Sequence, residues 1–273
     1  MDPKFVCGFQ SALCANLGLR FKAGRRSELA KLIFPHLEVY FMSTQSVPRR
    51  LAAELVGTFI FVFVGAGGVI TSTHFAPNMG LLIAALANGL GLAIAVSLTM
   101  GVSGGHLNPA VTLGMLVTSR IRAAEAVGYI VAQVVGATLA AYTLVLLVPQ
   151  SIGSAANYGA PSLGSGVGVG VGIAFEAVMT FVLLSAVFGT AVDPRAPKIG
   201  GFGIGLAVFL DVLTGGPFTG AMMNPARAIG PEIAAHYFSA WYVYWIGPII
   251  GGIVGALVYQ YVIMDHQSSG ATS

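Results

Sequence analysis

Apolar residues fall in long runs along most of this chain, and polar residues are confined to short stretches between them. A helix that crosses the hydrocarbon core of a bilayer needs about 20 mostly apolar residues. Six stretches reach or approach that length, the fifth being the shortest: residues 51–72, 80–100, 123–147, 166–192, 200–213 and 241–264. The pattern therefore predicts an all-α membrane protein with six transmembrane helices.

Two further apolar stretches, residues 107–118 and 222–233, are too short to cross a bilayer. A length of about a dozen residues is compatible with a re-entrant segment, which enters and leaves the membrane on the same side. We therefore expect two re-entrant half-helices in addition to the six spans.

The basic residues support this topology, because cytoplasmic loops carry an excess of Lys and Arg. If residues 107–118 re-enter, six basic residues share one side with both chain termini: Arg49, Arg50, Arg120, Arg122, Arg195 and Lys198. The outer loops, residues 73–79 and 148–165, then contain no Lys or Arg. Arg227 remains within the second re-entrant stretch, where ionisable residues are rare and usually face a polar pathway.

The composition narrows the class of protein. Of 273 residues, 56% are hydrophobic and 8% are charged, whereas a soluble domain carries about 25% charged residues. These values exclude a soluble enzyme, a disordered protein and a nucleic-acid binder. The sequence shows no metal-ligand spacing, catalytic triad or phosphate-binding loop, so we predict no enzymatic activity, no metal and no cofactor.

The net charge of +3 belongs to the first 41 residues, which hold six basic and three acidic residues. They contain no apolar run with a cleavage site, so a signal peptide is not predicted. We interpret residues 1–48 as a leader: a transit peptide, a disordered membrane-surface tail, or an upstream extension before a natural start at Met42. Residues 49–265 form the membrane domain, and residues 266–273 form a C-terminal tail.

The membrane domain contains an inverted repeat, residues 51–148 and 166–264. Glu54 opens the sequence ELVGTF, and Glu176 opens the similar EAVMTF. An Asn-Pro-Ala triplet follows in each half, with a glycine four residues before and six residues after its Asn. Three crossings per half reverse the second copy, an arrangement found in transporters whose site lies near the midplane.

The two triplets in this setting resemble those of the aquaporin family of water and small-solute channels. Further matches are Gln133 in the third span and the Trp-Ile-Gly-Pro sequence at 245–248. The resemblance covers residues 51–264. It implies six tilted helices in a lipid bilayer, two half-helices that meet at its centre, and a homotetramer with one pore in each subunit.

The chemistry of the triplets explains how such a pore rejects protons. Proline suits the first turn of a helix, and Asn caps a helix N-terminus. Each half-helix then directs a positive dipole end at the meeting point, which repels cations. The Asn side-chain amides donate to passing water and interrupt its proton-conducting chain. The predicted pore motifs are Asn108, Pro109, Ala110, Asn224, Pro225 and Ala226.

The resemblance also implies a selectivity filter. Arg227 is similar to the arginine of the outer filter, and the other positions, counted from the triplets, are Asn88, Val212 and Ala221. Strict water channels carry an aromatic residue at the first position and His at the second. Glycerol facilitators carry aromatic residues at the first and third positions and Asp after the arginine, where this chain has Ala228. The pattern is closest to plant vacuolar-membrane and ammonia-permeable members, which mostly have His in place of Asn88.

Other polar residues are expected to support the pore. Glu54 and Glu176 resemble the family's carboxylates that accept hydrogen bonds from the re-entrant backbone, with Gln133 as a further support. A proton relay is the alternative for these acids. His106 is expected in the inner vestibule, either in contact with solute or hydrogen-bonded within its loop, and Asp211 at the rim, facing away from the pore.

The function predicted from these features is a passive channel for water and small neutral solutes that excludes protons and ions. The expected solutes are ammonia, urea and hydrogen peroxide, with glycerol behind them. The alternatives are a glycerol-type facilitator, an ion-coupled secondary transporter, or a structural role with a closed pore. The expected location is the plasma membrane, with the vacuolar membrane as the alternative.

Deletion of residues 1–41 tests whether Met42 is a natural start. We expect the permeability per assembled channel to stay unchanged, because the predicted membrane domain begins after the deletion. Stopped-flow light scattering on proteoliposomes measures this permeability. A large loss of flux in correctly inserted protein would show that the leader gates or supports the pore.

Overall fold

The computed structural model describes residues 45–197 and 199–264. Residues 1–44 of the predicted leader, Lys198, and residues 265–273 with the predicted C-terminal tail lie outside the described part. Within the described part, six helices are long and apolar enough to cross a membrane. These are α1 (Val47–Phe75), α2 (Gly80–Ser103), α4 (Ala123–Leu147), α5 (Val169–Val187), α6 (Gly200–Thr219) and α8 (Val243–Val258). Two shorter helices are α3 (Pro109–Val117) and α7 (Pro225–Ala235). The predicted fold class is confirmed.

Single π-helical turns lengthen two of the spans, at Phe188–Val192 after α5 and at Tyr259–Ile263 after α8. The outer loop between α4 and α5 contains a helical turn, Gln150–Gly153, and a 3-10 segment, Ser154–Gly159. The described residues contain no strand.

The fifth span differs from its predicted end at residue 213, because α6 continues to Thr219. Thr214, two glycines and Pro217 interrupt the apolar run there, and the sequence pattern treats them as a boundary. Tertiary packing keeps the segment helical instead: a Cβ on Gly215 would overlap the sulfur of Met179 in α5. Local propensity is thus overridden by the close fit of α6 against α5.

The fourth span also starts later than predicted, at Val169 rather than residue 166. Gly166 lies at φ 77°, in the left-handed region, and Gly168 is extended at ψ 155°. Glycine adopts such conformations without steric cost, so the glycine-rich stretch forms the entry to the helix rather than its first turn.

The helices pair in a pattern that follows the inverted repeat. In the first half α1 packs against α2 and α4, and in the second half α5 packs against α6 and α8. Helices α2 and α6 join the halves along their length. Each half-helix packs mainly on the last helix of the other half, α3 on α8 and α7 on α4. The two halves therefore complete each other rather than forming separate cores.

Close backbone approaches make these pairings possible. Gly251 of α8 lies so near the backbone of Ala177 in α5 that a Cβ would overlap the Ala177 carbonyl. Gly205 of α6 lies against Gly89 and Ala93 of α2 in the same way. In a bilayer, where lipid competes with every apolar contact, small residues allow the backbone proximity on which helix association depends.

Ion pairs gather at the end of the bundle that carries the basic loops. Arg50 Nε lies 2.6 Å from Glu125 Oε1 and ties α1 to α4. Arg195 Nη2 lies 2.7 Å from Asp193 Oδ2 in the loop after α5. The hydrogen bonds from the Arg195 side chain and backbone lower the pKa of Asp193 to about 2, so this carboxylate is charged at every physiological pH.

A Gly251→Ala variant tests the α5–α8 contact. We expect it to destabilise the fold by about 1–3 kcal/mol or more, because the added methyl group meets the Ala177 backbone, which cannot rotate away. Gly101→Ala in α2 is the matched control, since no atom lies within 4 Å of its added Cβ. Thermal unfolding in detergent measures both variants, and equal midpoints for the two would contradict the packing argument.

Candidate functional site

Each Asn of the two triplets caps a half-helix. Asn108 is extended, at φ −159° and ψ 122°, and its Oδ1 accepts a hydrogen bond from Ala110 N at 2.8 Å. Asn224 Oδ1 accepts from Ala226 N at 2.9 Å and from Arg227 N at 3.1 Å. A proline follows each cap at the first helical position, where its missing N–H leaves no bond unmade.

The two caps also hold each other's loop. Asn108 Nδ2 donates to Met223 O at 2.9 Å, and Asn224 Nδ2 donates to Leu107 O at 2.8 Å. Leu107 at φ 49° and Met223 at φ 53° both lie in the left-handed region. The N-termini of α3 and α7 therefore meet, with their positive dipole ends together. Each Asn amide keeps a second N–H that these bonds do not use.

Glu54 supports the first loop from a fully buried position in α1. Its Oε1 accepts from Ser103 Oγ at 2.6 Å and from His106 N at 3.0 Å. Its Oε2 accepts from Leu107 N at 2.7 Å and from Gln133 Nε2 at 2.8 Å. Four donors thus satisfy one buried carboxylate, which is the condition under which such a group is tolerated.

Glu176 repeats this arrangement in the second half. Its Oε1 accepts from Thr219 Oγ1 at 2.7 Å and from Met222 N at 3.0 Å, and its Oε2 accepts from Met223 N at 2.6 Å. Both carboxylates are occupied by the backbone of the re-entrant loops, and no described residue connects them into a relay. This geometry favours structural support over proton transfer.

Two hydroxyl residues at these sites have no motif in the sequence that marks them. Ser103 Oγ accepts from Gly105 N, and Thr219 Oγ1 accepts from Ala221 N, each at 3.1 Å. The sequence separation between Ser103 and Thr219 equals the separation between Asn108 and Asn224, the first residues of the two triplets. That equal spacing is the signal that could have identified them.

His106 is buried beside Thr112 and Tyr129. The Thr112 hydroxyl donates to Asn108 O at 3.0 Å, and His106 Nδ1 lies 3.2 Å from the same hydroxyl oxygen. Because that hydroxyl has a single hydrogen, His106 Nδ1 is assigned as the donor, which leaves Nε2 as an acceptor. The imidazole packs edge-on against Tyr129, with ring centroids 5.1 Å apart. His106 is therefore hydrogen-bonded within its own loop through Nδ1.

The structure brings Asn88 to Arg227. Arg227 is 1% exposed, and its Nε donates to Asn88 Oδ1 at 3.1 Å. Its Nη1 donates to Gly159 O at 3.0 Å. Its Nη2 has no hydrogen-bond partner among the described residues. Val212 and Ala221 are buried in one apolar cluster and contribute no polar side chain.

The outer loop presents the Gly159 carbonyl in an unusual conformation. Asn157, Tyr158 and Gly159 all lie in the left-handed region, at φ 44°, 48° and 81°. The Tyr158 side chain packs with Ala66, Ile70 and Leu144 and holds the loop on α1 and α4. No sequence motif indicates this contact with Arg227, because it depends on a turn formed 68 residues earlier in the chain.

Asp211 departs from its expected place at the rim. It is 6% exposed, and its Oδ2 has no hydrogen-bond partner among the described residues. The reason is the longer α6: residue 211 lies inside the helix, two turns before its end at Thr219. Glu232 of α7 is likewise buried, and both of its carboxylate oxygens lack a partner in the described part. Among all the residues that the structure describes, there is no group of three or more His, Cys, Asp or Glu side chains suited to a metal.

Comparisons with known proteins agree with this architecture. The family described as Major intrinsic protein matches residues 41–259. The chain is 45% identical to "Aquaporin TIP4-4" of Zea mays over 226 residues, 79% of this chain and 87% of that protein. It is 42% identical to "Probable aquaporin TIP3-2" of Arabidopsis thaliana, over 79% and 84%.

Among solved structures, the aquaglyceroporin from Plasmodium falciparum superposes with a TM-score of 0.74. The superposition covers 80% of this chain and 97% of that one, at 22% sequence identity. At this identity the likeness concerns the fold.

Proposed function

Since the chain belongs to the major intrinsic protein family, we propose that its channel passes small neutral solutes besides water and excludes protons and ions. Membership makes the protein an integral multi-pass membrane channel of the aquaporin type, which transports water and is not an enzyme. The proposal concerns the finer properties: the range of solutes, the exclusion of ions, the assembly and the membrane.

The position of Arg227 carries the proposal for the solutes. Its Nε and Nη1 are both bound to protein acceptors, Asn88 Oδ1 at 3.1 Å and Gly159 O at 3.0 Å. These bonds hold the guanidinium beside α1 and α2 and oppose its extension across the opening. The remaining nitrogen, Nη2, is buried and has no hydrogen-bond partner among the described residues. We propose that it donates to the oxygen of a solute that enters the filter.

The remaining filter positions support a wide opening. Asn88, Val212 and Ala221 include neither an aromatic ring nor an imidazole, so no large side chain faces Arg227 from these positions. A pore selects by its diameter and by the hydrogen-bonding groups along it. We therefore rank ammonia, urea and hydrogen peroxide as solutes ahead of glycerol, whose facilitators carry aromatic residues in this region.

An ion-coupled transporter is the second candidate, and Asp211 and Glu232 are the observations in its favour. Both are buried acids, and among the described residues Asp211 Oδ2 and both carboxylate oxygens of Glu232 have no hydrogen-bond partner. Against it, the acids beside the two half-helix N-termini, Glu54 and Glu176, are engaged with the re-entrant backbone. The exclusion of protons distinguishes the two candidates.

The assembly and the location of the protein are further parts of the proposal. We propose a homotetramer in a lipid bilayer, and rows of exposed apolar residues on the spans, such as Leu90, Ile94 and Leu98 of α2, suit contact with lipid or with a neighbouring subunit. The similar proteins carry TIP-type names, the vacuolar group. The expectation of a plasma membrane therefore has no support, and we propose the vacuolar membrane.

Proton exclusion is the first test. We expect proteoliposomes containing the protein to show no proton or cation flux above protein-free liposomes, while their water permeability rises. The reason is that two helix dipole ends and Arg227 all oppose positive charge in the pore. A pH-sensitive dye inside the vesicles reports the proton flux. Proton flux clearly above that of protein-free liposomes would contradict proton exclusion and favour the transporter.

The second test measures which solutes pass through the pore. We expect the unmodified protein to pass ammonia and urea, measured by stopped-flow light scattering and internal pH. The double variant Asn88→Phe, Val212→His should lose urea flux and keep a larger share of its water flux, because the added rings narrow the opening in front of Arg227. Some water flux is lost as well, because the variant removes the acceptor of Arg227 Nε. If the unmodified protein passes water and none of these solutes, the argument from width is wrong.

A further inference from the structure

We infer that Gly65 of α1 is a positioning residue for Arg227, because its missing side chain provides the space in which Asn88 binds the arginine. The inference rests on the proposed role of Arg227 as the filter residue. It adds a specificity-determining position on a helix that supplies none of the filter side chains predicted from the sequence.

The space at Gly65 is defined by three atoms. A Cβ built on Gly65 would overlap the side-chain oxygen of Asn88. The same Cβ would stand 3.1 Å from Asn88 Cγ and 3.3 Å from Arg227 Nε. The hydrogen bond between Asn88 and Arg227 therefore lies directly against the α1 backbone at this position, where only glycine leaves room for it.

The orientation of the Asn88 amide is determined by its neighbours. Its nitrogen donates to Ala84 O at 2.8 Å and to Gly65 O at 3.4 Å. Its oxygen accepts from Arg227 Nε at 3.1 Å. Two carbonyl acceptors face one end of the amide and the N–H donor of Arg227 faces the other end. Only one assignment of the amide nitrogen and oxygen fits these neighbours. Rotating the amide to make room for a Cβ would break this set of bonds.

The next residue of α1 supports the other acceptor. A Cβ on Gly159 would come within 2.8 Å of Ala66 Cβ and 2.9 Å of Ala66 Cα, so the outer loop also lies directly on α1. Both acceptors of Arg227 thus rest on two consecutive small residues, Gly65 and Ala66. The surface of α1 at this turn sets where two of the three guanidinium-group nitrogens are held.

A methyl group at Gly65 should act on the filter rather than on the fold. The atom that it overlaps is the end of a side chain, and the amide can rotate while the helices stay in place. The rotation removes the acceptor of Arg227 Nε. The guanidinium, retained by Gly159 alone, then moves away from α1 and into the opening, where it obstructs urea more than water.

The test compares Gly65→Ala with Gly67→Ala in proteoliposomes, with water and urea permeabilities normalised per channel. Gly67 lies in the same helix, and a Cβ there would be 3.6 Å from Leu144 Cδ2, an ordinary contact. We expect Gly65→Ala to lower the ratio of urea to water permeability about fivefold, as the loss of one hydrogen bond would allow, and to lower water permeability as well. Gly67→Ala should leave both unchanged.

A second comparison uses Asn88→Ala, which removes the overlapping oxygen. In that background Gly65→Ala should have little further effect on water or urea permeability, because the two substitutions act through the same bond. A general packing defect in α1 would instead add to the effect of Asn88→Ala. If Gly65→Ala alone does not assemble, adding Asn88→Ala should restore assembly.

The outcomes separate this inference from the proposed solute range. An unmodified protein that passes water but not urea would refute the solute range, and the water permeability of Gly65→Ala would still test the role of Gly65. Permeabilities equal to those of Gly67→Ala would overturn the inference. So would an undiminished effect of Gly65→Ala in the Asn88→Ala background, or failure of the double variant to assemble.

Discussion

The reciprocal hydrogen bonds between Asn108 and Met223 O and between Asn224 and Leu107 O join the two half-helices, and the rest of the structure depends on that junction. Irregular backbone at membrane depth is tolerated only where its polar groups are satisfied by protein or face a water-filled path. The two loops meet this condition by binding each other and two buried carboxylates. Glu54 and Glu176 are thereby explained as acceptors for N–H groups that no helix could accommodate.

The same constraint accounts for the likeness of the halves in detail. Gly104 and Gly220 leave α2 and α6 in the left-handed conformation, at φ 91° and 83°. Leu107 and Met223 adopt it again before each cap, although neither is glycine. The left-handed backbone conformation is strained for a residue that has a side chain. The conformation persists here because the Asn of the opposite half binds the carbonyl of the residue and the buried carboxylate binds its N–H.

Much of this arrangement could be predicted from the sequence, because the relevant signals are local. The third span has its predicted bounds, Ala123–Leu147, since an apolar run with polar flanks defines it. The triplets indicate helix caps through the chemistry of two adjacent residues. The predicted end of the fifth span, residue 213, is wrong, because contacts with α5 keep Pro217 and the neighbouring glycines helical. Of the two acceptors of Arg227, the sequence places Asn88 in the filter but gives no sign of Gly159. The contact with Gly159 and the space at Gly65 arise from segments that are far from Arg227 in the chain.

The exchange of half-helices between the repeats has a consequence for synthesis. Helix α3 packs mainly on α8, which begins at Val243, long after α3 has ended at Val117. At the usual rate of translation, the ribosome needs on the order of ten seconds to add the intervening residues. During that interval the first re-entrant segment has been synthesised but its main packing partner has not. The water path is therefore complete only when the last helix enters the bilayer. Truncation of the chain before α8 would therefore leave the first half-helix without its main packing partner, however complete the first repeat is.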